Sequence, residues 1–335
     1  MLFAREHETP YNKSPVIRAV SMILMVVTVF SVFIRILTRL SAVKKSNFFT
    51  SDEIMILTSM VVSIAQSTTV YVQGLNGLGK FDVSVSQVSS ILKGQLASDI
   101  LLFLALGLSK LSATTTIWNM SPLSHRRLLP IQILIGGWTV SAIFVRAFSC
   151  PVSNPWDYFN GRCIDMVAFW IYIDAVNMAT DFIITAVTLG ILVHLQMPLG
   201  TKAMVVGVFG CRILTIPPAI SHIMYYQRAI SSQAPMFDMW MPTIINQVIQ
   251  CVGITTTCIP FWWRFLKSLE SGQMGAGDIF GALSRSNNSR SGGTSHLQAF
   301  ELQGTGKYGR TWNASVALQT SQEALVNPSS VGTRN

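Results

Sequence analysis

Two aspartates and an asparagine lie in the interior of one strongly apolar segment of the sequence, residues 164–198. Asp174, Asn177 and Asp181 share one face of a helix, because each residue turns the helix by about 100°. A carboxylate that faces lipid costs at least ~2.5 kcal/mol, so this face must contact protein or water. The three side chains are therefore either neutral, hydrogen-bonded packing residues or the lining of a ligand or ion cavity.

Further polar residues occur inside other apolar segments. Asp99 lies one turn into the third segment, and Arg212 lies within the sixth. Arg212 is the expected partner of Asp181, since both fall near mid-depth when consecutive spans run in opposite directions, and a buried charge needs a partner. We expect four acidic or amide side chains in the outer part of their spans to line an outward-facing cavity: Asp99, Asp174, Asn246 and Gln250.

Other residues in these segments favour structural roles. Lys110 lies towards the end of the third segment, where its flexible stem favours snorkelling of the ammonium to the membrane surface. His222, near the end of the sixth segment, is typical of a hydrogen-bonded structural residue rather than a ligand-binding one. Gly136 and Gly137 would allow close helix contact in the fourth segment.

The composition indicates a membrane protein. Of the 335 residues, 50% are hydrophobic and only 12% are charged, and the mean hydropathy is +0.45. Average soluble domains have about 25% charged residues. The net charge of +9 does not indicate nucleic-acid binding, because the basic residues lie at the ends of apolar segments and no nucleic-acid motif accompanies them.

Seven apolar segments are long enough to cross a bilayer core of roughly 30 Å. They are residues 16–36, 54–72, 96–117, 128–148, 164–198, 204–224 and 242–262. We therefore predict an all-α, seven-transmembrane helix bundle over residues 16–267, with a short tail at residues 1–15. Residues 268–335 are rich in small polar side chains, which predicts a disordered tail. Pro217 and Pro218 predict a kink in the sixth span.

Basic residues predict the orientation of the bundle. They are more frequent in the loops after spans one, three and five, and at the start of the C-terminal tail, than in the alternate loops. This asymmetry predicts an N-terminus outside and a cytosolic C-terminal tail.

The same orientation places the loop from Cys150 to Cys163 outside, where a disulfide would stabilise it by roughly 3 kcal/mol. We expect no metal site there, since two cysteines without a nearby histidine do not supply four ligands.

A set of short motifs resembles the fungal rhodopsin-like integral membrane proteins. The motifs are SDEIMILTSM, LGLSKLS, the Cys-x12-Cys loop with Trp156, ATDFIIT, LQMPLGTK and CIPFWWRFLKSLESG, and the resemblance covers about residues 15–272. The resemblance implies a seven-helix protein, whose relatives include receptor-like surface sensors and members of secondary-metabolite gene clusters. Only residues 1–15 precede the first span, so a cysteine-rich extracellular domain is not expected.

Retinal is the cofactor that the family name suggests, but the residues do not favour it. A retinal Schiff base needs a lysine on span seven, and residues 242–262 contain none. We therefore expect no cofactor. The Asp-Arg-Tyr and Asn-Pro-x-x-Tyr motifs of receptors that couple to G proteins are absent from spans three and seven.

The sequence predicts a receptor-like sensor of an unknown small ligand, located in the plasma membrane, with a cytosolic signalling partner at the C-terminal tail. The alternative is a membrane component, either an enzyme or a transporter, of a fungal secondary-metabolite pathway. Asp99, Asp174 and Asp181 would supply paired acids to an enzyme, but no catalytic signature such as His-Glu-x-x-His is present. The two halves of the chain lack the inverted repeat of many transporters.

Overall fold

The computed structural model describes residues 8–42, 50–120, 125–151, 156, 163–193 and 210–262, and the regular structure in these ranges is helical apart from isolated bridges. The first five helices are α1 (Ser14–Ala42), α2 (Ser51–Leu75), α3 (Val85–Met120), α4 (His125–Ala147) and α5 (Met166–Val193). A 3-10 turn, Cys211–Thr215, leads into α6 (Ile216–Ile230), and α7 (Pro235–Trp262) has a turn residue at Met239.

Six of these helices, α1 to α5 and α7, are long and apolar enough to cross a membrane. The predicted all-α, multi-pass membrane architecture is therefore confirmed. The tail at residues 268–335 and the start of the chain at residues 1–7 lie outside the described residues. The domain boundaries and the orientation of the bundle stay predictions.

The sixth predicted span, residues 204–224, differs from the structure at its end. Residues 204–209 lie outside the described part of the chain, and α6 continues to Ile230, where a loop is predicted. The helix continues because Tyr226 and Ala229 are buried in the bundle and extend its apolar face. Pro217 and Pro218 occupy the first turn of α6, where the missing N–H groups cost little, so they mark the start of this helix.

Helix α3 begins at Val85, well before the predicted start at residue 96. The amide N–H of Ser84 donates a hydrogen bond to the Gln87 side-chain oxygen at 3.1 Å, which is half of a capping box. The first turns of α3 are polar, so a hydropathy pattern does not reveal where this helix starts. At 36 residues, α3 is the longest described helix, and it packs against α2, α4 and α5.

One end of the bundle is joined through the turn between α2 and α3. The N–H of Lys13 donates to the Gly79 carbonyl at 2.8 Å, and the N–H of Gly79 donates to the Met236 carbonyl at 3.3 Å. Gly77 and Gly79 have φ of 103° and 80°, the left-handed region that glycine adopts readily. The starts of α1, α3 and α7 therefore meet at one end.

The close helix contact that Gly136 and Gly137 would allow does not occur with the described residues, because a Cβ at either position would meet none of their atoms within 4 Å. The close approach of α3 and α4 occurs at Gly107, where an added Cβ would overlap the Thr139 side chain.

The predicted disulfide between Cys150 and Cys163 is confirmed, and it ties the end of α4 to the start of α5.

Candidate ligand-binding site

The polar face of α5 points into the bundle. Asp174, Asn177 and Asp181 are 3%, 2% and 3% exposed, and Thr188 on the same face is also buried. The helix places them there because its lipid-facing side carries residues such as Phe182, which is exposed. Each of the two carboxylates on this face has a basic partner from another part of the chain, and so does a third buried carboxylate, Asp99 of α3.

Asp181 is shared by two cations. Its Oδ1 lies 3.0 Å from Lys110 Nζ of α3 and 3.1 Å from Arg212 Nε of the 3-10 turn. Its Oδ2 accepts a hydrogen bond from Thr215 Oγ1 at 3.0 Å. The predicted pairing of Asp181 with Arg212 is therefore present, and Lys110 joins it. We call Asp181, Lys110, Arg212 and Thr215 the Asp181 site.

Lys110 does not snorkel, so the interpretation of this residue from the sequence is wrong. Its ammonium is buried and donates to the Asn177 carbonyl at 2.8 Å and to Thr180 Oγ1 at 2.7 Å, in addition to its contact with Asp181. A neutral amine has two N–H groups, whereas these three acceptors require three. The geometry therefore fits a charged ammonium. A snorkelling lysine would instead lie with its head in water, beyond the buried interior of α3.

Asp174 pairs with His222 of α6. Its Oδ2 lies 2.7 Å from His222 Nδ1, and the imidazole packs edge-on against Trp170 with ring centroids 4.6 Å apart. His222 is thus a hydrogen-bonded interior residue, as its position in the sequence predicts. Its Nε2 is buried and has no hydrogen-bond partner in the described structure.

Asp99 pairs with Arg146 of α4. Arg146 Nε donates to Asp99 Oδ2 at 2.8 Å, and Arg146 Nη1 donates to Ser149 Oγ at 3.2 Å. Both charged side chains are buried. Ser149 directly precedes the disulfide-bonded Cys150, so this pair lies at the end of the bundle that the disulfide closes.

The amides of α7 do not join these acidic residues. Gln250 Nε2 donates to the Ser63 carbonyl of α2 at 3.3 Å, and Gln247 Nε2 donates to Gln66 Oε1 at 2.8 Å. Asn246 is buried on the same helix. In the described residues, no hydrogen bond or ion pair connects Asn246 or Gln250 with Asp99 or Asp174. Asp99, Asp174 and Gln250 therefore have different hydrogen-bond partners, and the role of the four predicted residues in a cavity stays a prediction.

A second charged group connects α1, α2, α3 and α7. Arg35 Nη2 lies 3.2 Å from Asp52 Oδ2 and 3.1 Å from Thr116 Oγ1, and Arg35 Nη1 donates to the Thr257 carbonyl at 3.1 Å. Arg39 Nη2 donates to the same Asp52 Oδ2 at 3.1 Å. We call these residues the Arg35 cluster. Its core is buried, so Arg35 is an interior residue rather than a basic flank of the first span.

Several residues of these centres were missed by sequence reasoning. Thr180, Thr215 and Trp170 carry no distinctive pattern, since hydroxyl and aromatic side chains are common in membrane helices. The Arg146 partner of Asp99 had a detectable signal. Spans three and four run in opposite directions, so a charge near the start of one and a charge near the end of the next lie at one depth.

The residues do not fit retinal. The described α7 contains no lysine, and the Lys110 ammonium of α3 is occupied by three acceptors. No step involving this cofactor follows from the structure.

Comparisons with known proteins agree with the fold. Satratoxin biosynthesis SC1 cluster protein 4 of Stachybotrys chartarum (strain CBS 109288 / IBT 7711) is 23% identical over 189 residues, which cover 54% of this chain and 68% of that protein. No solved structure gives a significant match. The model of the fungal rhodopsin domain matches residues 34–268. This match covers helices α2 to α7, the Asp181 site and the Arg35 cluster. The chain therefore belongs to the fungal rhodopsin domain family.

Proposed function

We propose that this chain is a receptor-like membrane sensor that binds a small ligand inside its helical bundle, at the Asp181 site. The observation that carries the proposal is the composition of this site. One buried carboxylate faces two buried cations from two other parts of the chain, α3 and the turn before α6.

Incomplete pairing of buried polar atoms supports a binding role. Arg212 Nη2 and Asn177 Oδ1 are buried without a hydrogen-bond partner in the described structure. Each such atom is costly in a bundle surrounded by lipid, because no water is available from the hydrocarbon region. Polar atoms that a fold leaves unsatisfied are a common feature of binding sites, since the ligand completes them.

The position of the site suits a sensor. It connects α3, α5 and the 3-10 turn before α6 through single side chains, so a ligand that alters the Asp181 contacts would bias the relative positions of these three elements. Intramembrane ionisable residues mark functional sites in many membrane proteins. We further propose a plasma-membrane location and a cytosolic signalling partner that contacts the C-terminal tail.

A second candidate function comes from the named relative. Satratoxin biosynthesis SC1 cluster protein 4 carries the name of a biosynthetic gene cluster. That name favours a role for this chain as a membrane component of a secondary-metabolite pathway, either an enzyme or a transporter. The Asp181 site would then contact a pathway intermediate instead of a signal.

Profiling a deletion strain separates the two functions. A strain that lacks this chain is compared with its parent for secreted and cellular metabolites, and for the change in transcription after medium from a dense culture is added. If the chain is a sensor, the deletion strain should lose the transcriptional response but should still synthesise its metabolites under inducing conditions. Loss of one metabolite, with accumulation of its precursor and a normal transcriptional response, would contradict the sensor and support the pathway component.

A further inference from the structure

We infer that the ligand of the Asp181 site is a monoanion, an organic acid whose carboxylate is held by the Arg212 guanidinium. This inference rests on the proposed ligand-binding function and adds the chemical class of the ligand. It follows from the charge balance of the site and from the donors that Arg212 leaves unused.

The site carries one more positive charge than negative charge. The three acceptors around Lys110 Nζ require an ammonium, and an arginine in a protein is always protonated. Among the described residues, Asp181 is the one carboxylate that forms an ion pair with Lys110 or Arg212. The site therefore has a net charge of +1, which is unfavourable in a buried position unless an anion balances it.

Arg212 has donors available for that anion. Its Nε binds Asp181, whereas its Nη2 is buried and has no hydrogen-bond partner in the described structure. A guanidinium holds carboxylates through parallel N–H donors, and such charge-assisted hydrogen bonds are about twice as strong as neutral ones. The Lys110 ammonium contributes charge, because its own donors are occupied by Asp181, Asn177 and Thr180.

Asp174 is the nearest other acid on α5, and it does not replace the anion. It lies seven residues before Asp181, about 10 Å along the helix axis, and its Oδ2 contacts His222. Asp99 is paired with Arg146. Neither carboxylate reaches Arg212 within ion-pair distance in the described structure.

The surroundings favour a carboxylate over a phosphate. A carboxylate brings one negative charge and would make the site neutral, whereas a dianionic phosphate would reverse its charge. Ile184, three residues after Asp181 on α5, and Ile117, seven residues after Lys110 on α3, belong to one buried apolar cluster. An organic acid with an apolar body matches both features.

Thermal unfolding of the purified full chain in detergent tests the inference, with sodium acetate as the probe and acetamide as its uncharged counterpart. Acetate should raise the unfolding temperature of the wild type in a saturable manner by about 2–4 °C, and acetamide should not. The response should be lost in Arg212→Gln. It should persist in the matched control Arg228→Gln, which alters an exposed arginine on α6.

A conservative variant covers the case in which Arg212→Gln does not fold. Arg212→Lys keeps the charge next to Asp181 and removes the planar donors. The half-saturating acetate concentration should then rise by about tenfold or more, the factor expected for one lost charge-assisted hydrogen bond.

Four results would overturn the inference. They are no acetate response in the wild type, an equal response to acetamide, a larger response to inorganic phosphate, or an unchanged acetate response in the Arg212 variants. Each of these leaves the proposed function intact, because the deletion-strain profile tests that function without reference to ligand charge. If the deletion strain has a normal profile but the purified chain responds to acetate, the proposed function is contradicted and the anion site is retained.

Discussion

At the scale of single residues, we expect Asp181 to contribute more to stability than Arg212, because two cations share the Asp181 carboxylate. Asp181→Ala leaves both Lys110 and Arg212 without a carboxylate, whereas Arg212→Ala leaves Asp181 paired with Lys110. Breaking a buried pair typically costs about 3–5 kcal/mol, because the remaining charge is unpaired. We expect Asp181→Ala to lose at least this much unfolding free energy and Arg212→Ala to lose clearly less, in denaturant titrations of the purified protein.

The double variant and a surface control complete this prediction. Asp181→Ala combined with Arg212→Ala should lose less than the sum of the single losses, but it should not return to wild-type stability, because Lys110 remains unpaired. Asp82→Ala, at an exposed position, should change the unfolding free energy by about 0.5 kcal/mol or less. Equal losses for Asp181→Ala and Arg212→Ala would show that Lys110 does not support Asp181.

The sequence allowed part of this site to be predicted. Helical spacing placed Asp174, Asn177 and Asp181 on one face, and depth matching of antiparallel spans paired Asp181 with Arg212. Lys110 was misassigned, because a lysine near the predicted end of a span has two favourable solutions, snorkelling and ion pairing. Only the packing of α3 against α5 decides between them, and that packing is not visible in the pattern of one segment.

At the scale of helices, the contact between α3 and α4 depends on the absence of a side chain at Gly107. A Cβ at this position would overlap the Thr139 side chain. Gly107→Ala should therefore destabilise the protein by about 1–3 kcal/mol in unfolding titrations, as overpacking does. Adding Thr139→Ala should restore much of the loss.

The matched control for Gly107→Ala is Gly136→Ala in α4, where an added Cβ would meet no atom of the described residues within 4 Å. This change should be neutral or slightly stabilising, because alanine favours helix by about 1 kcal/mol over glycine. A larger loss at Gly136 than at Gly107 would contradict the described packing of the two helices.

The Arg35 cluster predicts different roles for two arginines one turn apart on α1. Arg35 is 1% exposed and bridges α1, α2, α3 and α7, whereas Arg39 is 31% exposed. Arg35→Ala should cost about 3 kcal/mol or more of unfolding free energy, and Arg39→Ala should cost about 1 kcal/mol or less, since exposed ion pairs contribute little. Comparable losses would show that Arg35 lies in a solvated position.

Hydropathy alone does not locate the ends of all the helices. The centres of the long spans agree with the sequence, because runs of apolar residues mark the lipid-crossing part. The start of α3 and the end of α6 were placed wrongly, because polar residues continue these helices beyond the apolar run. Ser84 and Gln87 give a capping signal that would have located the start of α3.

At the scale of the whole molecule, the orientation in the membrane is a prediction from charge asymmetry. The sequon Asn313-Ala-Ser315 lies in the C-terminal tail, outside the described residues. If the tail is cytosolic, Asn313 never meets the glycosylation machinery. Peptide mapping should find Asn313 unmodified, while a new sequon placed in the loop between Cys150 and Cys163 should acquire glycan. Glycan on Asn313 would reverse the orientation.

The fold class could be predicted from the sequence, since composition and seven apolar segments leave few alternatives to a helical membrane bundle. The arrangement of the polar residues could not. Gln250 contacts Ser63 of α2 and Asp99 contacts Arg146 of α4, because each side chain takes the nearest partner across a helix interface. Those interfaces depend on the rotation of each helix, which the polar spacing along one span does not determine.

The central claim is that the Asp181 site binds the ligand through which the chain senses, and complementation of the deletion strain tests it most directly. The strain receives the wild type, Arg212→Gln or Arg228→Gln, compared at matched abundance in the membrane, and the transcriptional response to medium from a dense culture is measured. The wild type and Arg228→Gln should restore the response, whereas Arg212→Gln should not. Full restoration by Arg212→Gln would contradict the claim.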